Sequence, residues 1–234
     1  MGFLVKVAAW FADSAHWQGT SGIPNRLLEH VLMSGAATLA AGLIALPLGV
    51  ALGHFARGGN IAINISNIGR AIPSFAVLVL AFEVVGIGAP PAFIALMLLA
   101  IPPMVTNSYV GVREVDADVK DAARGMGMRA RKILFAVELP LALPLIMAGV
   151  RTSAVQVVAT ATLAALVAWG GLGRYIIDGF AQQDYVQMFA GALLVAMLAV
   201  VTELALGALE FMLVPRALRS SKALPQVEPQ PKAA

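Results

Sequence analysis

Five stretches of the chain are apolar for long enough to cross a bilayer, which takes roughly 20 residues per helix. They fall near residues 30–53, 62–82, 89–108, 143–168 and 187–213. Asn64, Asn67 and Arg70 crowd the start of the second, which makes it the most polar of the five. The rest of the chain is consistent with a protein dissolved in lipid. Only 12% of residues are charged and 59% are hydrophobic, with a mean hydropathy of +0.84. A soluble domain carries about 25% charged residues, and one of this length still needs a polar coat. The fold expected is an all-α membrane protein, a five-span transmembrane helical bundle covering residues 30–216.

Lysine and arginine give the orientation, because cytoplasmic loops collect them. With the segment between spans three and four placed inside, the inner side holds twelve of the sixteen basic residues. They are Arg57 and Arg70, then Arg113, Lys120, Arg124, Arg129, Arg131 and Lys132, then Arg216, Arg219, Lys222 and Lys232. Lys6, Arg26 and Arg174 stay outside, and Arg151 lies within a span. The expectation is an N-terminus outside and a C-terminus in the cytoplasm. The net charge of +3 belongs to this asymmetry. Nucleic acid is excluded as a partner, because the basic residues flank apolar spans without interleaved aromatics.

The ends are simpler. Residues 1–29 form an external segment. Its apolar patch from Gly2 to Phe11 is too short to span, so Phe3, Leu4, Val7, Trp10 and Phe11 suit an interfacial helix on membrane lipid. Residues 217–234 are polar and proline-rich, the composition of a disordered tail.

Within the spans, Gly35-Ala36-Ala37, Ala40-Ala41-Gly42 and Ala190-Gly191-Ala192 are small enough for close helix approach. Pro47, Pro73, Pro102, Pro103 and Pro144 are expected to kink or end helices. Trp10, Trp17 and Trp169 fall near outer boundaries, where indoles anchor at headgroups. His30 and His54 bracket the first span as interfacial residues.

The longest polar interruption runs from Val119 to Leu141, inside a loop of residues 109–142. Val115, Val119, Ala122, Ala123 and Met126 recur at helical spacing as one apolar stripe. Glu114, Asp116, Asp118 and Asp121 precede Arg129, Arg131 and Lys132, which suits the helix dipole. Gly125 and Gly127 supply a turn. A second short helix then runs through Ile133, Leu134 and Val137 to stop at Pro140. Such an amphipathic cytoplasmic helix has three uses: lying on lipid, packing on its own bundle, or filling a partner's groove.

Asp121-Ala122-Ala123, Gly127, and Val137-Glu138-Leu139-Pro140 stand at the spacing of the "EAA" loop, so the chain resembles the permeases of binding-protein-dependent ABC importers. That family usually has Glu at the position of Asp121 and often Ile at that of Val137. The resemblance implies a type I, MetI-like permease bundle, with Asp121, Ala122, Ala123, Gly127, Leu139 and Pro140 as ATPase-coupling residues. It also implies ABC ATPase subunits below, a second permease (identical or homologous) beside it, and an extracytoplasmic solute-binding protein. ATP and Mg would sit on the ATPase, with no cofactor on this chain.

Further motifs resemble the osmoprotectant branch, which serves glycine betaine, carnitine, choline and proline importers. They are His16-Trp17-Gln18-Gly19, Arg26-Leu27-Leu28-Glu29-His30, Ala71-Ile72-Pro73-Ser74, Tyr109-Val110-Gly111-Val112, Ala148-Gly149-Val150-Arg151-Thr152 and Ala161-Thr162-Leu163-Ala164-Ala165. The resemblance reaches to about Arg216. It implies import of compatible solutes across a bacterial inner membrane. The nearest alternative is a permease of the same superfamily with an amino acid or small anion as cargo.

Charges inside the spans are candidates for the transport path, because each needs a partner or water. Arg151 lies about 12 Å and Glu203 about 15 Å from the inner ends of their spans at 1.5 Å per residue. They are matched for an ion pair, and the competing role for Glu203 is contact with a cationic substrate. Glu210, nearer the aqueous boundary, is expected to snorkel. Gly170, Gly171 and Gly173 precede the outer segment 174–185 and suit an external gate, a landing surface or a connector.

Enzymatic readings find no support. No Gly-Lys-Ser/Thr phosphate loop, His-Glu-x-x-His or Gly-x-Ser-x-Gly occurs, and cysteine is absent. The chain carries no expected catalytic or metal site and is not its own ATPase. An intramembrane enzyme or a purely structural subunit are the rivals from other classes. With three Trp and three Tyr, a full aromatic cage for a quaternary ammonium belongs on a separate binding protein.

Overall fold

The computed structural model describes residues 2–55, 64 and 72–214. Much of the second predicted span, with Asn67 and Arg70, lies outside the described residues, as do Arg57 and the tail 217–234. All regular structure among the described residues is helical. A short helix α1 (Phe3–Ala12) and a 3-10 turn (Ser14–Trp17) lead into α2 (Ile23–His54). Then come α3 (Ser74–Val85), α4 (Ala89–Arg113), α5 (Ala117–Gly125) and α6 (Ala130–Ile133). The last runs without a break through a π-helical turn (Leu134–Glu138) into α7 (Leu139–Thr160) and a 3-10 turn (Ala161–Val167). α8 (Gly173–Ala181) and α9 (Tyr185–Leu213) complete the described chain.

Four of these runs are long and apolar enough to span: Ile23–His54, Ala89–Arg113, Ala130–Val167 and Tyr185–Leu213. The described part of the second predicted span is α3, whose 12 residues reach about 18 Å. His54 ends α2 beside Glu138, at the base of α7. Gly88, after α3, donates its N–H to the carbonyl of Val167, the last residue of the 3-10 turn that follows α7. The two ends of the bundle are called below the Glu138 end and the Tyr175 end.

The largest helix–helix contact joins α2 to α4. Ala37, Ala41, Ala45, Gly49 and Gly53 form one row of buried small residues, four apart, along α2. A Cβ on Gly49 would stand 2.6 Å from the Val105 carbonyl oxygen, and one on Gly53 would stand 2.8 Å from the Val112 Cβ. Small residues let backbones approach where lipid supplies no hydrophobic drive between helices. The working row therefore threads through the predicted tripeptides without using their glycines: Gly35 meets nothing within 4 Å, and Gly42 only side-chain tips. Rising numbers on α2 meet rising numbers on α4, so the two run parallel. α7 runs antiparallel to both, with Gly111 against Ala142 and Gly149 against Asn107.

Most of these prolines do not end their helices. Pro47, Pro102, Pro103 and Pro144 are all inside helices, and only Pro73 stands at a helix start, capping α3. Beside the double proline of α4, the Ser153 hydroxyl donates to the Ala100 carbonyl at 2.9 Å. The expected stop at Pro140 does not occur. Leu139 instead donates its N–H to the Leu134 carbonyl, five residues back. This wider turn absorbs the missing proline N–H, so Pro140 sits in the first turn of α7, where proline costs least.

Two further expectations are corrected by packing. His30 is an internal residue, 1% exposed, with Nε2 2.9 Å from the Val158 carbonyl of α7. Trp10 is buried against α9 and Tyr175, while Trp17 remains exposed. α1 is thus a helix as expected, yet its Val7 and Trp10 face protein and leave Leu4 outside.

Candidate functional site

At the Glu138 end, α5 projects from the bundle as a short amphipathic helix. Asp116 caps it by accepting the Asp118 N–H at 2.8 Å, the usual way an N-terminal donor is satisfied. It ends in a turn at Gly127, whose φ of +80° is readily adopted by glycine alone. Met128 N–H and Gly127 N–H return to the Ala123 and Arg124 carbonyls. Gly125 is simply the last helical residue.

The predicted apolar stripe splits into two faces. Val115 and Ala123 turn inward, Ala123 to 2% exposure. Val119, Ala122 and Met126 form an outward line at i, i+3 and i+7, with Met126 75% exposed. The expected single stripe splits because Val115 precedes α5 and Met126 is its C-terminal cap, so one helical period does not carry the whole set. Asp121 stands on the exposed side, paired with Arg124 at 2.6 Å in the open, where such a pair is worth little. Leu139 and Pro140 are not on this helix. They begin α7, with Leu139 packed against the Val112, Ala142 and Ile146 cluster. Asp121, Ala122 and Gly127 are therefore grouped at the surface, while Ala123, Leu139 and Pro140 hold the loop on the bundle.

Two charged side chains are buried beside the loop. Lys120, 9% exposed, places its Nζ 3.4 Å from the Val112 and Arg113 carbonyls at the end of α4. Glu138, 3% exposed, reaches the ring of His54 at the end of α2. Neither partner was legible from the sequence, because the partners lie on other helices.

In the membrane layer, Arg151 of α7 holds two carboxylates of α9. Its Nε is 3.2 Å from Glu203 Oε1, and its Nη1 is 3.0 Å from Glu210 Oε2. Glu210 was expected to snorkel; the guanidinium fork, reaching across Gly207, takes it as a second partner. On the next positions of α7, Thr152 and Gln156 stand exposed in line with Leu145 and Leu141. The uncovered face of α7 turns from apolar to polar as it leaves the Glu138 end.

At the Tyr175 end, the three glycines pack tightly. Gly171, at φ +82°, donates its N–H to Glu29 Oε2 at 2.7 Å, and Glu29 also pairs with Arg26 at 2.9 Å. A Cβ on Gly170 would collide with the Glu29 carboxylate, and one on Gly173 with the Thr162 backbone. Tyr175 donates its hydroxyl to the Ser21 carbonyl at 2.6 Å. Burial holds this phenol above its ordinary pKa range, so it remains a donor. Trp10 lies edge-on to Tyr175 and stacks on His16 at 4.0 Å. Beside them is an open polar cleft of ≈ 220 Å³, lined by His16, Arg26, Arg174, Asp178 and Gln187 among others.

No cluster of three metal-ligating side chains occurs among the described residues. Residues 42–217 match the model of the family described as "Binding-protein-dependent transport system inner membrane component". The chain belongs to that family. It is a multi-pass permease subunit with the all-α, MetI-like fold.

Relatives of this permease agree over most of its length. It is 37% identical over 194 residues to the carnitine transport permease protein OpuCB of Listeria monocytogenes, covering 83% of this chain and 89% of that one. It is 37% identical over 196 residues to the choline transport system permease protein OpuBB of Bacillus subtilis, covering 84% and 90%. The fold is similar to that of an inward-facing structure of the MetNI methionine ABC transporter. The TM-score is 0.70 at 23% identity, covering 80% of this chain and 94% of that one.

Proposed function

We propose that this permease carries compatible solutes (glycine betaine, choline, carnitine or proline) into the cell as the membrane half of an ATP-driven importer. The observation that carries the cargo class is the naming of its relatives, which transport carnitine and choline, at 37% identity over more than four fifths of this chain. The osmoprotectant import permease protein OsmY of Salmonella typhimurium, 34% identical over 177 residues, points the same way.

The exposed line of Val119, Ala122 and Met126 with Asp121 and Gly127 supports the docking of an ABC ATPase, which binds and hydrolyses ATP with Mg. Ala122 is small enough to let a helix enter a cleft closely. The basic residues of the Glu138 end, Arg124, Arg129, Arg131 and Lys132 among them, support a cytoplasmic position for that end. The N-terminus is then outside. The Tyr175 end faces the solute-binding protein, with the polar cleft and the Gly170–Gly173 connector as its landing and gating region. A second permease copy or homologue completes the path. Thr152 and Gln156 face that path, because a polar side chain in the membrane layer needs water or a partner, and Arg151, Glu203 and Glu210 close its side.

Uptake of radiolabelled glycine betaine and choline under salt stress, with and without this chain, tests the reading. Uptake should fall on deletion and return with the wild-type gene but not with Gly127→Val. Unchanged uptake of both solutes, in cells with no redundant system, would overturn the cargo. Because the chain has no cysteine, Gln156→Cys can be tested directly with a membrane-impermeant cationic thiol reagent. Labelling slowed by cargo is expected; complete inertness would remove Gln156 from the path.

A further inference from the structure

Charges removed from water are costly, and a buried ion pair is often no more stabilising than an apolar pair of the same volume. Stability alone therefore gives little reason for the Glu138 end to bury Glu138 and Lys120. Their placement gives another. The loop that carries α5 is anchored twice. From within α5, Lys120 reaches the last carbonyls of α4, where a cation also suits the helix dipole. Beyond it, Glu138 binds His54, 84 residues away in sequence and the last residue of α2. The two anchoring helices, α2 and α4, are themselves locked together through Gly49 and Gly53.

Glu138 is also the last residue of the π-helical turn. Such turns recur at functional sites, because the widened turn re-aims side chains within a continuous helix. Here it lies between the loop and the span that carries Arg151. The carboxylate aims across to α2, and the helix itself continues through Pro140 into α7. One residue is thus joined by chain to α6 and α7 and by side chain to α2.

We infer that His54 and Glu138 are positioning residues that transmit displacement of the coupling loop to α2, so that α2 and α7 move together when the ATPase moves the loop. This inference rests on the proposed docking of an ATPase on α5. It requires that breaking the joint reduce the solute moved for each ATP hydrolysed, beyond any loss in the amount of complex.

The test uses the complete importer in proteoliposomes, with its ATPase and binding protein. Glycine betaine uptake and ATP hydrolysis are measured on the same preparation and normalised to assembled complex. Glu138→Ala and His54→Ala are each expected to lower the solute-to-ATP ratio by about tenfold or more, the factor produced by about 1.4 kcal/mol. The exchange of His54→Glu with Glu138→His should restore most of that ratio. A ratio at the wild-type value in both single variants overturns the inference, as does an exchange that assembles yet stays at the level of the single variants. If the exchanged protein does not assemble, the ratio for Glu138→Gln decides by the same criterion. Ala122→Trp separates the two readings. If it leaves ATPase co-purification and uptake intact, docking on α5 is wrong. If it removes the ATPase while the Glu138 variants keep the wild-type ratio, only the joint is wrong.

Discussion

At the Tyr175 end, the elements are joined by stacked rings and by hydrogen bonds to backbone groups. Trp10 stacks on His16, Tyr175 donates to the Ser21 carbonyl, and Gly171 donates to Glu29. At the Glu138 end, the joining side chains are ionisable ones under cover, His54 with Glu138 and Lys120 on helix carbonyls, while an apolar line on α5 stands uncovered. One end joins its elements through ring contacts and backbone groups. The other buries charge and leaves hydrophobic surface in the open, the reverse of what a free-standing surface favours. The contrast teaches that the Glu138 end is shaped for something outside the chain.

The α2–α4 row is what both ends share, so damage there should erase the contrast. Gly49→Leu forces atoms into the Val105 carbonyl, and overpacking of this kind costs about 1–3 kcal/mol or more. The expected outcome is the largest of the series: little folded permease in the membrane, read by size-exclusion of the detergent extract. Normal yield would mean the helices can separate freely.

Ala122→Trp and Glu29→Ala should then split the ends. The first is expected to leave yield and melting temperature unchanged and to remove the co-purifying ATPase. The second strands the Gly171 N–H and frees Arg26, a loss of about 1–3 kcal/mol. It should lower the melting temperature and leave the ATPase bound. If both substitutions gave the same phenotype, the division between ends would fail.

Tyr175→Phe is a smaller perturbation of the Tyr175 end, about 0.5–1.5 kcal/mol for one hydrogen bond. The sign of its pH dependence follows from burial. The folded phenol titrates above the ordinary value near 10, so its contribution is complete below that value and is lost as pH rises through the raised one. Thermal melts of wild type and Tyr175→Phe should therefore differ by a constant amount through neutral pH and converge only in strong alkali. Arg124→Ala should have the least effect on the stability of the isolated permease, within about 0.5 kcal/mol, because its ion pair is open to water. A large loss there would place hidden structure around α5.

Much of the bundle was legible because lipid imposes a long, one-letter code: apolar runs near 89–108, 143–168 and 187–213 became α4, α7 with the 3-10 turn that follows it, and α9, with ends moved by a few residues. The second span was less so, since α3 is described for only 12 residues. Position along a helix also matched Arg151 to Glu203. It misread Glu210, because depth alone ignores that one guanidinium can serve two carboxylates. The stop expected at Pro140 failed for a related reason: a local rule about a missing N–H does not know that a π turn can take up the slack. The side-chain links between His54 and Glu138, His30 and Val158, or Glu29 and Gly171 have no local signature, since each joins residues more than 80 positions apart. α5 was visible as amphipathic, but which of its edges met the bundle depended on the rest of the fold.

The row of small residues on α2 has a geometric consequence. Four residues overshoot one helical turn by about 40° and climb about 6 Å. From Ala37 to Gly53 the row therefore winds about 160° around α2 while rising about 24 Å. It is a right-handed screw thread, and α4 is seated along it. An axial slip of one helix past the other cannot occur as pure sliding; the thread converts it into rotation. Travel applied to the tips of these helices at the Glu138 end would emerge at the Tyr175 end as torque.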